Sequence, residues 1–239
     1  MIIDFHSHIL PGIDDGSRDE DMTAAILREE AAQGVGLVVA TPHFYANRMS
    51  VEGFLERRDE ALEITEQICR ETGEKLPNII CGAEVYYFHG IGEAAMIPKL
   101  CIGETKTLLL EMPFAAWTER MLGEVAEIRR RGLVPVAAHL ERYLSFNSKK
   151  TISRFMDMDI LIQCNAEFFL SRRTERKALA LLRDGRIHFI GSDAHGFNTR
   201  APNVGAALAI IEEKLGQAAL ERLQRMEGLI DAAWKERVK

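Results

Sequence analysis

Short runs of apolar, often β-branched residues alternate along the chain with longer stretches in which apolar residues recur every three or four positions. The first pattern is typical of buried strands and the second of amphipathic helices. On this basis the sequence predicts seven strands: Ile2–Phe5, Gly36–Thr41, Asn78–Ala83, Thr107–Leu110, Leu133–Ala138, Ile160–Asn165 and Ile187–Gly191.

Helices are predicted between these strands and at the end of the chain. Ser17–Glu20 has the form of a capping box, so the first helix is expected to begin there and to run to Gly34. Gly132 is expected to end the helix before it, because glycine readily adopts the left-handed conformation. The other predicted helices are Val51 to about Gly73, Trp117–Arg131, Glu175–Asp184, Asn203–Leu215 and Gln217–Trp234.

Alternation of strands with helices indicates parallel strands and hence the α/β class. Seven strands in 239 residues favour a barrel over an open sheet, although the pattern alone leaves both open. No linker rich in proline, glycine or serine interrupts the chain, so a single domain spanning residues 1–239 is expected.

Composition narrows the possible functions. An apolar fraction of 47% is sufficient for a substantial core, and a net charge of −6 argues against general binding to nucleic acids or anionic membranes. No apolar run approaches the ~18 residues of a membrane span, and the N-terminus lacks a basic signal region, so a cytoplasmic protein is expected. The four cysteines lie too far apart for a CxxC pair and are expected to be small buried hydrophobic residues.

Histidines and carboxylates follow one predicted strand after another. Because the carboxyl ends of the strands in a parallel barrel share one rim, these side chains are expected to converge there. A lone HxH pair or a lone acid after a strand is weak support for a metal site, but the joint pattern is much stronger. The candidate ligands are His6, His8, Asp15, His43, Glu84, Glu111, His139, Asp193 and His195.

Nine ligands are too many for one cation, so two or three divalent ions are expected. Mixed imidazole and carboxylate donors suit Mn, Fe or Zn, whereas Mg alone prefers oxygen. Arg142 and Arg200 accompany the candidate ligands and are predicted to bind an oxyanion, since guanidinium groups match phosphate geometry. His89 and His188 are interpreted as a loop residue and a packed strand residue.

The chain resembles the polymerase-and-histidinol-phosphatase (PHP) superfamily of metal-dependent phosphoesterases. Its opening block, residues 6–16 (HSHILPGIDDG), is similar to the bacterial tyrosine-protein phosphatase branch of the CpsB/YwqE type. Further matches are residues 41–43 (TPH), 82–87 (GAEVYY), 110–112 (LEM), 138–143 (AHLERY) and 191–195 (GSDAH). The resemblance extends over roughly residues 1–215, and residues 225–229 (RMEGL) depart from the Asn-Pro turn that is common in the family.

The resemblance implies a distorted (β/α)7 barrel and a trinuclear site that hydrolyses phosphotyrosine through a metal-bridging hydroxide. Manganese is the metal expected first, with Fe, Zn and Mg as alternatives. The resemblance places His6, His8, Glu84 and Asp193 around one ion. It places Glu84, Glu111 and His139 around a second ion, and Asp15, His43 and His195 around a third. Arg142 and Arg200 match the family's phosphate-binding arginines.

The implied substrate is a phosphotyrosine protein, namely the C-terminal tail of a bacterial tyrosine kinase that regulates capsular or extracellular polysaccharide synthesis. Nucleic acid and membrane insertion are not expected, and the oligomeric state and native metal stay open. Two other functions remain: a small-molecule phosphatase such as a histidinol-phosphate phosphatase, and a non-catalytic, metal-stabilised PHP domain.

Overall fold

The computed structural model describes residues 1–198 and 200–237, and strands and α-helices alternate within them, which confirms the α/β class. The described strands are β1 (Ile2–Ser7), β2 (Val35–Ala40), β3 (His43–Phe44), β4 (Asn78–Cys81), β5 (Glu84–Tyr86), β6 (Thr107–Glu111), β7 (Val134–Ala137), β8 (Leu161–Asn165) and β9 (Phe189–Gly191). The α-helices are α1 (Glu20–Ala32), α2 (Val51–Thr72), α3 (Glu119–Arg130), α4 (Lys149–Met156), α5 (Glu167–Leu170), α6 (Glu175–Arg183), α7 (Val204–Leu215) and α8 (Gln217–Arg237).

The strands form two sheets in which neighbouring strands run parallel, with the orders β1-β2-β4 and β3-β5-β6-β7-β8-β9. After two-residue breaks, β2 continues as β3 and β4 continues as β5. Backbone hydrogen bonds from Gly82 to Ala40 and from Glu84 to Pro42 link the chain across these breaks. Two of the predicted strands are therefore each followed by a short second strand that the apolar pattern did not indicate.

The end of β1 lies beside the segment that follows β9. The backbone N–H of Asp193 donates to the His6 carbonyl at 2.7 Å, and the N–H of His8 donates to the Ala194 carbonyl at 3.0 Å. The two sheets therefore continue into one another as a single curled parallel sheet, in which the first and last strands bring their carboxyl ends together.

The curled sheet encloses an apolar interior. Phe5 of β1 and Phe189 of β9 stack there, with their ring centroids 3.8 Å apart. Most of the remaining residues of this interior cluster occupy alternate positions of strands, as the pleat requires, while Ile102 precedes β6 and Ala138 follows β7. These remaining residues are Ile3, Leu37, Val39, Ile80, Ile102, Leu109, Val136 and Ala138. A second and larger core lies between the strands and the helices, and contains the apolar faces of the helices.

The first helix begins at Glu20 and not within a capping box at Ser17, so that prediction is wrong. Asp19 is the N-cap, and its side chain accepts a hydrogen bond from the backbone N–H of Met22 at 2.9 Å. The Ser17 hydroxyl instead donates to the Asp19 carbonyl at 3.0 Å and lies 2.8 Å from the hydroxyl of Thr23. Ser17 therefore holds the loop before the helix.

Two further predictions concern histidines outside the candidate site. His89 is an exposed loop residue, as predicted. His188 lies just before β9, which begins at Phe189, so its assignment to a strand is wrong. Its Nδ1 accepts a hydrogen bond from the backbone N–H of Ile162 at 3.0 Å, which holds the ring against β8.

Three further expectations from the sequence concern the cysteines, residues 225–229 and membrane-spanning helices. Cys81, Cys101 and Cys164 are buried, Cys69 is half-buried, and none of the four forms a disulfide within the described residues. Residues 225–229 lie within α8. Across the described part of the chain, no helix is both long and apolar enough to cross a bilayer.

Candidate metal centre

Glu84 lies at the middle of a cluster of imidazole rings. It is the first residue of β5 and is fully buried. Its Oε2 lies 3.3 Å from Nε2 of His6 and 3.3 Å from Nε2 of His8. The same oxygen is 2.9 Å from Nδ1 of His43, while Oε1 is 2.7 Å from Nε2 of His139. One carboxylate thus contacts four histidines from three strand ends, those of β1, β2 and β7.

Asp193 is the second buried carboxylate of the cluster. Its Oδ1 lies 3.6 Å from Nε2 of His6 and 3.4 Å from Nε2 of His8. The same oxygen is 3.4 Å from Nδ1 of His195. Glu84 and Asp193 therefore both lie within 3.6 Å of the HxH pair.

The other oxygen of Asp193 faces two guanidinium groups. Arg142 donates to Oδ2, and NH1 of Arg200 lies 2.5 Å from the same atom. The amide of Asn165 also donates to it, at 3.0 Å. The carboxylate therefore separates the imidazole cluster from the predicted oxyanion-binding arginines, which remain about one-third exposed.

Glu111 and Asp15 lie at the edges of the cluster. Glu111, the last residue of β6, is buried, and its Oε1 is 3.6 Å from Nε2 of His139. Asp15 is 70% exposed, and its Oδ1 is 3.4 Å from Nε2 of His43 and 3.5 Å from Nε2 of His195. All nine candidate ligands therefore lie near the carboxyl ends of β1, β2, β4, β6, β7 and β9, at the same end of the sheet.

Three overlapping groups have ligand atoms that all lie within 4.8 Å of one another: His6, His8 and Asp193; His43, Glu84 and Glu111; and His8, His43 and His195. The first group is contained in the first set implied by the resemblance. The other two share residues with the implied second and third sets, but they bring in His43 and His8 in place of His139 and Asp15.

The chemistry of these donors fits divalent cations. Glu84 Oε2, Asp193 Oδ1 and His195 Nε2 are buried and lack a hydrogen-bond partner among the described residues. Buried polar atoms without partners cost on the order of 1–3 kcal/mol each, and several unpaired carboxylates in one place cost more. Cations would satisfy all of these atoms at once, and mixed nitrogen and oxygen donors are those that Mn, Fe and Zn accept.

The pKa values of the cluster also favour bound cations. Burial, followed by the charge of nearby Glu84, raises the pKa of Glu111 to about 8. Burial opposes ionisation of Asp193, but the charges of His6 and His8 hold its pKa well below the usual range. Burial and the charge of His8 lower the pKa of His195 to about 4, so this imidazole is neutral and has a free lone pair. The ionised acids therefore depend on nearby positive charge.

Two of the candidate ligands have an unusual backbone conformation. His139 has φ 33° and Asp193 has φ 54°, and among the described residues these are the only non-glycine positions with positive φ. Such conformations cost free energy and are concentrated at functional sites. Each residue lies two positions beyond the end of a strand, β7 for His139 and β9 for Asp193, and its side chain enters the cluster.

Asp14 contacts the cluster but was not among the residues singled out from the sequence. Its Oδ2 lies 2.7 Å from Nδ1 of His8 and accepts the backbone N–H of His43 at 2.9 Å. Its Oδ1 accepts the N–H of Gly16 at 2.9 Å. A carboxylate on the far nitrogen of a ligating histidine fixes the tautomer and the orientation of the ring. In the sequence Asp14 and Asp15 are adjacent acids, and nothing indicates which of the two faces inward.

Gln163 of β8 is the second residue that was missed. Its Oε1 accepts the backbone N–H of His139 at 2.6 Å and lies 3.3 Å from Nδ1 of His6. Its Nε2 donates to Oδ1 of Asn165 at 2.9 Å. Both side chains are buried on one face of an otherwise apolar strand. Two amides at alternate positions of a buried strand were the signal that could have identified this network.

Comparison with known protein sequences identifies a matching family and named relatives. The family described as "Capsular polysaccharide synthesis, CpsB/CapC" matches residues 2–228. The tyrosine-protein phosphatase CpsB of Streptococcus pneumoniae is 27% identical over 238 residues, which cover 93% of this chain and 94% of the relative. The tyrosine-protein phosphatase YwqE of Bacillus subtilis is 26% identical over 225 residues, covering 90% of this chain and 85% of the relative.

Comparison with solved structures supports the fold. One matching crystal structure belongs to a pair of proteins, YwqE of Bacillus subtilis and CpsB of Streptococcus pneumoniae, which are described as unique metal-dependent tyrosine phosphatases. It superposes on this chain with a TM-score of 0.81. It is 23% identical, and the match covers 96% of this chain and 94% of that chain. The phosphotriesterase homology protein of Escherichia coli, complexed with phosphate in its active site, gives a TM-score of 0.56 at 13% identity, covering 93% and 95%.

Proposed function

Because the chain belongs to the CpsB/CapC family of capsular polysaccharide synthesis, we propose that it is a metal-dependent protein-tyrosine phosphatase. The observation that carries the proposal is the position of Asp193. One of its oxygens faces the imidazole cluster, and the other faces Arg142 and Arg200. This position supports a cation site on one side of the buried carboxylate and a phosphate site on the other.

The residues that would hold the ions are the nine candidate ligands. We expect two or three divalent ions, with manganese the first choice on donor type. When bound, such ions lower the pKa of a coordinated water from 15.7 towards ~7 and offset the charge on a phosphoryl group. Asp14 and Gln163 orient the rings of His8 and His6 from outside the ligand cluster.

Arg142 and Arg200 bind the phosphoryl oxygens in this proposal. Each presents a planar set of N–H donors, and their charges stabilise the negative charge that builds up on those oxygens in the transition state. Both arginines contact Asp193, so a phosphate dianion would compete with that carboxylate for the same donors. The leaving group is a phenolate, whose pKa of about 10 makes a strong general acid unnecessary.

The proposed architecture is the distorted (β/α)7 barrel, folded as one domain over residues 1–239. Counting β2 with β3 and β4 with β5 as interrupted strands reduces the described strands to seven. The hydrogen bonds between the end of β1 and the segment after β9 support closure of the ring. The interior cluster around Phe5 and Phe189 supports it as well.

The proposed substrate is a phosphotyrosine protein, and the family name points to one involved in capsular polysaccharide synthesis. A bacterial tyrosine kinase with a phosphorylated C-terminal tail fits this role, which would place the phosphatase in the cytoplasm. The partly exposed arginines are consistent with a site that must admit a protein segment.

The experiment measures bound metal and phosphate release from a phosphotyrosine peptide for the wild type, for chelated protein and for Glu84→Gln. The wild type is expected to bind two or three ions and release phosphate, while chelated protein and the variant lose turnover. Glu63→Gln, at an exposed position of α2, is the matched control and keeps both properties. Turnover by protein shown to be free of metal would contradict the proposal.

A further inference from the structure

A cavity of about 830 Å³ opens on the arginine side of Asp193. Arg142, Arg200 and Asn165, the three residues that contact Oδ2 of Asp193, all line it. The remainder of the wall is partly apolar and includes Leu144, Phe168, Phe197 and Ala201. A group held by the two arginines would therefore have an apolar compartment beside it.

Phe197 stands out in this wall because half of its surface is exposed to solvent. It makes no ring contact with any aromatic or histidine side chain of the described residues. Phe114 and Phe146 are also exposed at this end of the strands, but they pack on each other at 6.1 Å. Phe114 also packs on Tyr143 at 5.4 Å. Among these three exposed phenylalanines, Phe197 alone has no ring partner within the described residues.

Phe197 shares one turn with a candidate ligand and a phosphate-binding arginine. The backbone N–H of His195 donates to the Arg200 carbonyl at 2.9 Å, and the N–H of Arg200 donates to the Gly196 carbonyl at 3.2 Å. Gly196 has φ 119°, a conformation suited to glycine, and an added Cβ would lie 3.0 Å from the sulfur of Met22. The turn is therefore held at both ends, and the position of Phe197 relative to Arg200 is constrained.

We propose that Phe197 is a specificity-determining residue that covers the aromatic ring of the substrate's phosphotyrosine in this cavity. The inference rests on the proposed function, in which Arg142 and Arg200 hold the phosphoryl group. A phosphotyrosine ring lies one ester oxygen from the phosphorus, so it extends from the arginines into the space beside them. An aryl phosphate gains ring contact with Phe197 there, whereas the ester of an aliphatic alcohol offers no ring.

The test compares two phosphonates that share the anionic group and differ in the ring. Binding of phenylphosphonate and methylphosphonate to the metal-loaded protein is measured by calorimetry for the wild type, Phe197→Ala, Phe197→Leu and Phe146→Ala. Aromatic pairs contribute enough to predict that Phe197→Ala weakens phenylphosphonate about five- to tenfold. Methylphosphonate is expected to change less than twofold. Phe197→Leu, which keeps apolar bulk, should lie between the wild type and the alanine variant for phenylphosphonate.

Phe146→Ala removes a similarly exposed phenylalanine outside the cavity and is expected to change neither affinity. Equal weakening of both phosphonates by Phe197→Ala would show that Phe197 only supports Arg200, and would overturn the inference. Unchanged phenylphosphonate binding, or selective weakening by Phe146→Ala instead, would also overturn it. These results leave the proposed function intact, whereas failure of both phosphonates to bind the wild type would overturn the function together with the inference.

Discussion

Glu30 of α1 is a carboxyl group buried against the carboxyl of Asp4 on β1. Asp4 accepts hydrogen bonds from the backbone N–H groups of His6 and Ser192 and from the Ser192 hydroxyl. Neither oxygen of Glu30 has a donor partner in the part of the chain that the structure describes, so Glu30 can bond to Asp4 only by carrying a proton. Burial, followed by the charge of Asp4, raises the pKa of Glu30 to about 11.

This pKa makes the stability of the fold depend on pH. Glu30 takes up a proton on folding at any pH between its ordinary value near 4.5 and about 11. The contribution of protonated Glu30 to the free energy of unfolding is therefore complete below pH 4.5 and is lost as the pH rises towards 11. Each pH unit in that window lowers the folding equilibrium constant about tenfold, or roughly 1.4 kcal/mol. Glu30→Gln removes this dependence, because the amide N–H can donate to Asp4 without binding a proton.

The assay is urea unfolding of the wild type and Glu30→Gln at several pH values between 6 and 9. The free energy of unfolding of Glu30→Gln minus that of the wild type should increase by about 4 kcal/mol between pH 6 and pH 9. Glu20→Gln, at an exposed position at the start of the same helix, is the control and should show no such shift. A difference that stays constant with pH would refute the assignment of the proton to Glu30.

Three further predictions concern the site. Asp14→Asn should weaken metal binding about 10- to 100-fold, measured by metal titration, because it alters the group that orients His8; unchanged affinity would count against that role. Arg200→Ala should lower kcat/KM on a phosphotyrosine peptide ~10- to 100-fold with metal content unchanged, since it removes a charged donor to the phosphoryl group; an unaltered kcat/KM would exclude Arg200 from the site. Gly16→Ala should lower the free energy of unfolding by about 1–3 kcal/mol in chemical denaturation, because its Cβ would lie 2.3 Å from the His8 carbonyl oxygen; wild-type stability would show that the loop can move aside.

Much of the fold could be predicted because the local patterns agree with it. Alternating apolar runs and helical periods identify the α/β class, and parallel strands bring their carboxyl ends together. For that reason the candidate ligands could be grouped from the sequence, although residues such as Glu84 and Asp193 are more than 100 positions apart. The candidate ligands occur along the chain in the same order as the strands that carry them.

Other features depend on tertiary contacts that leave no local signal. Glu30 follows another glutamate and looks like part of a solvated helix face, yet it shares the buried side of α1 with Thr23 and Ile26. Asp14 and Asp15 differ only in which one the loop turns inward. The short strands β3 and β5 exist because backbone pairing resumes after a break, and two or three residues are too few for a periodic pattern.

The measurement that tests the central claim most directly is kcat/KM of the manganese-loaded protein on a phosphotyrosine peptide, measured side by side with histidinol phosphate. The proposed function predicts a strong preference for the peptide, together with loss of turnover when the metal is removed. A preference for histidinol phosphate would contradict the protein-phosphatase assignment while keeping metal-dependent phosphate hydrolysis. No turnover of either substrate with metal bound would contradict catalysis by this centre.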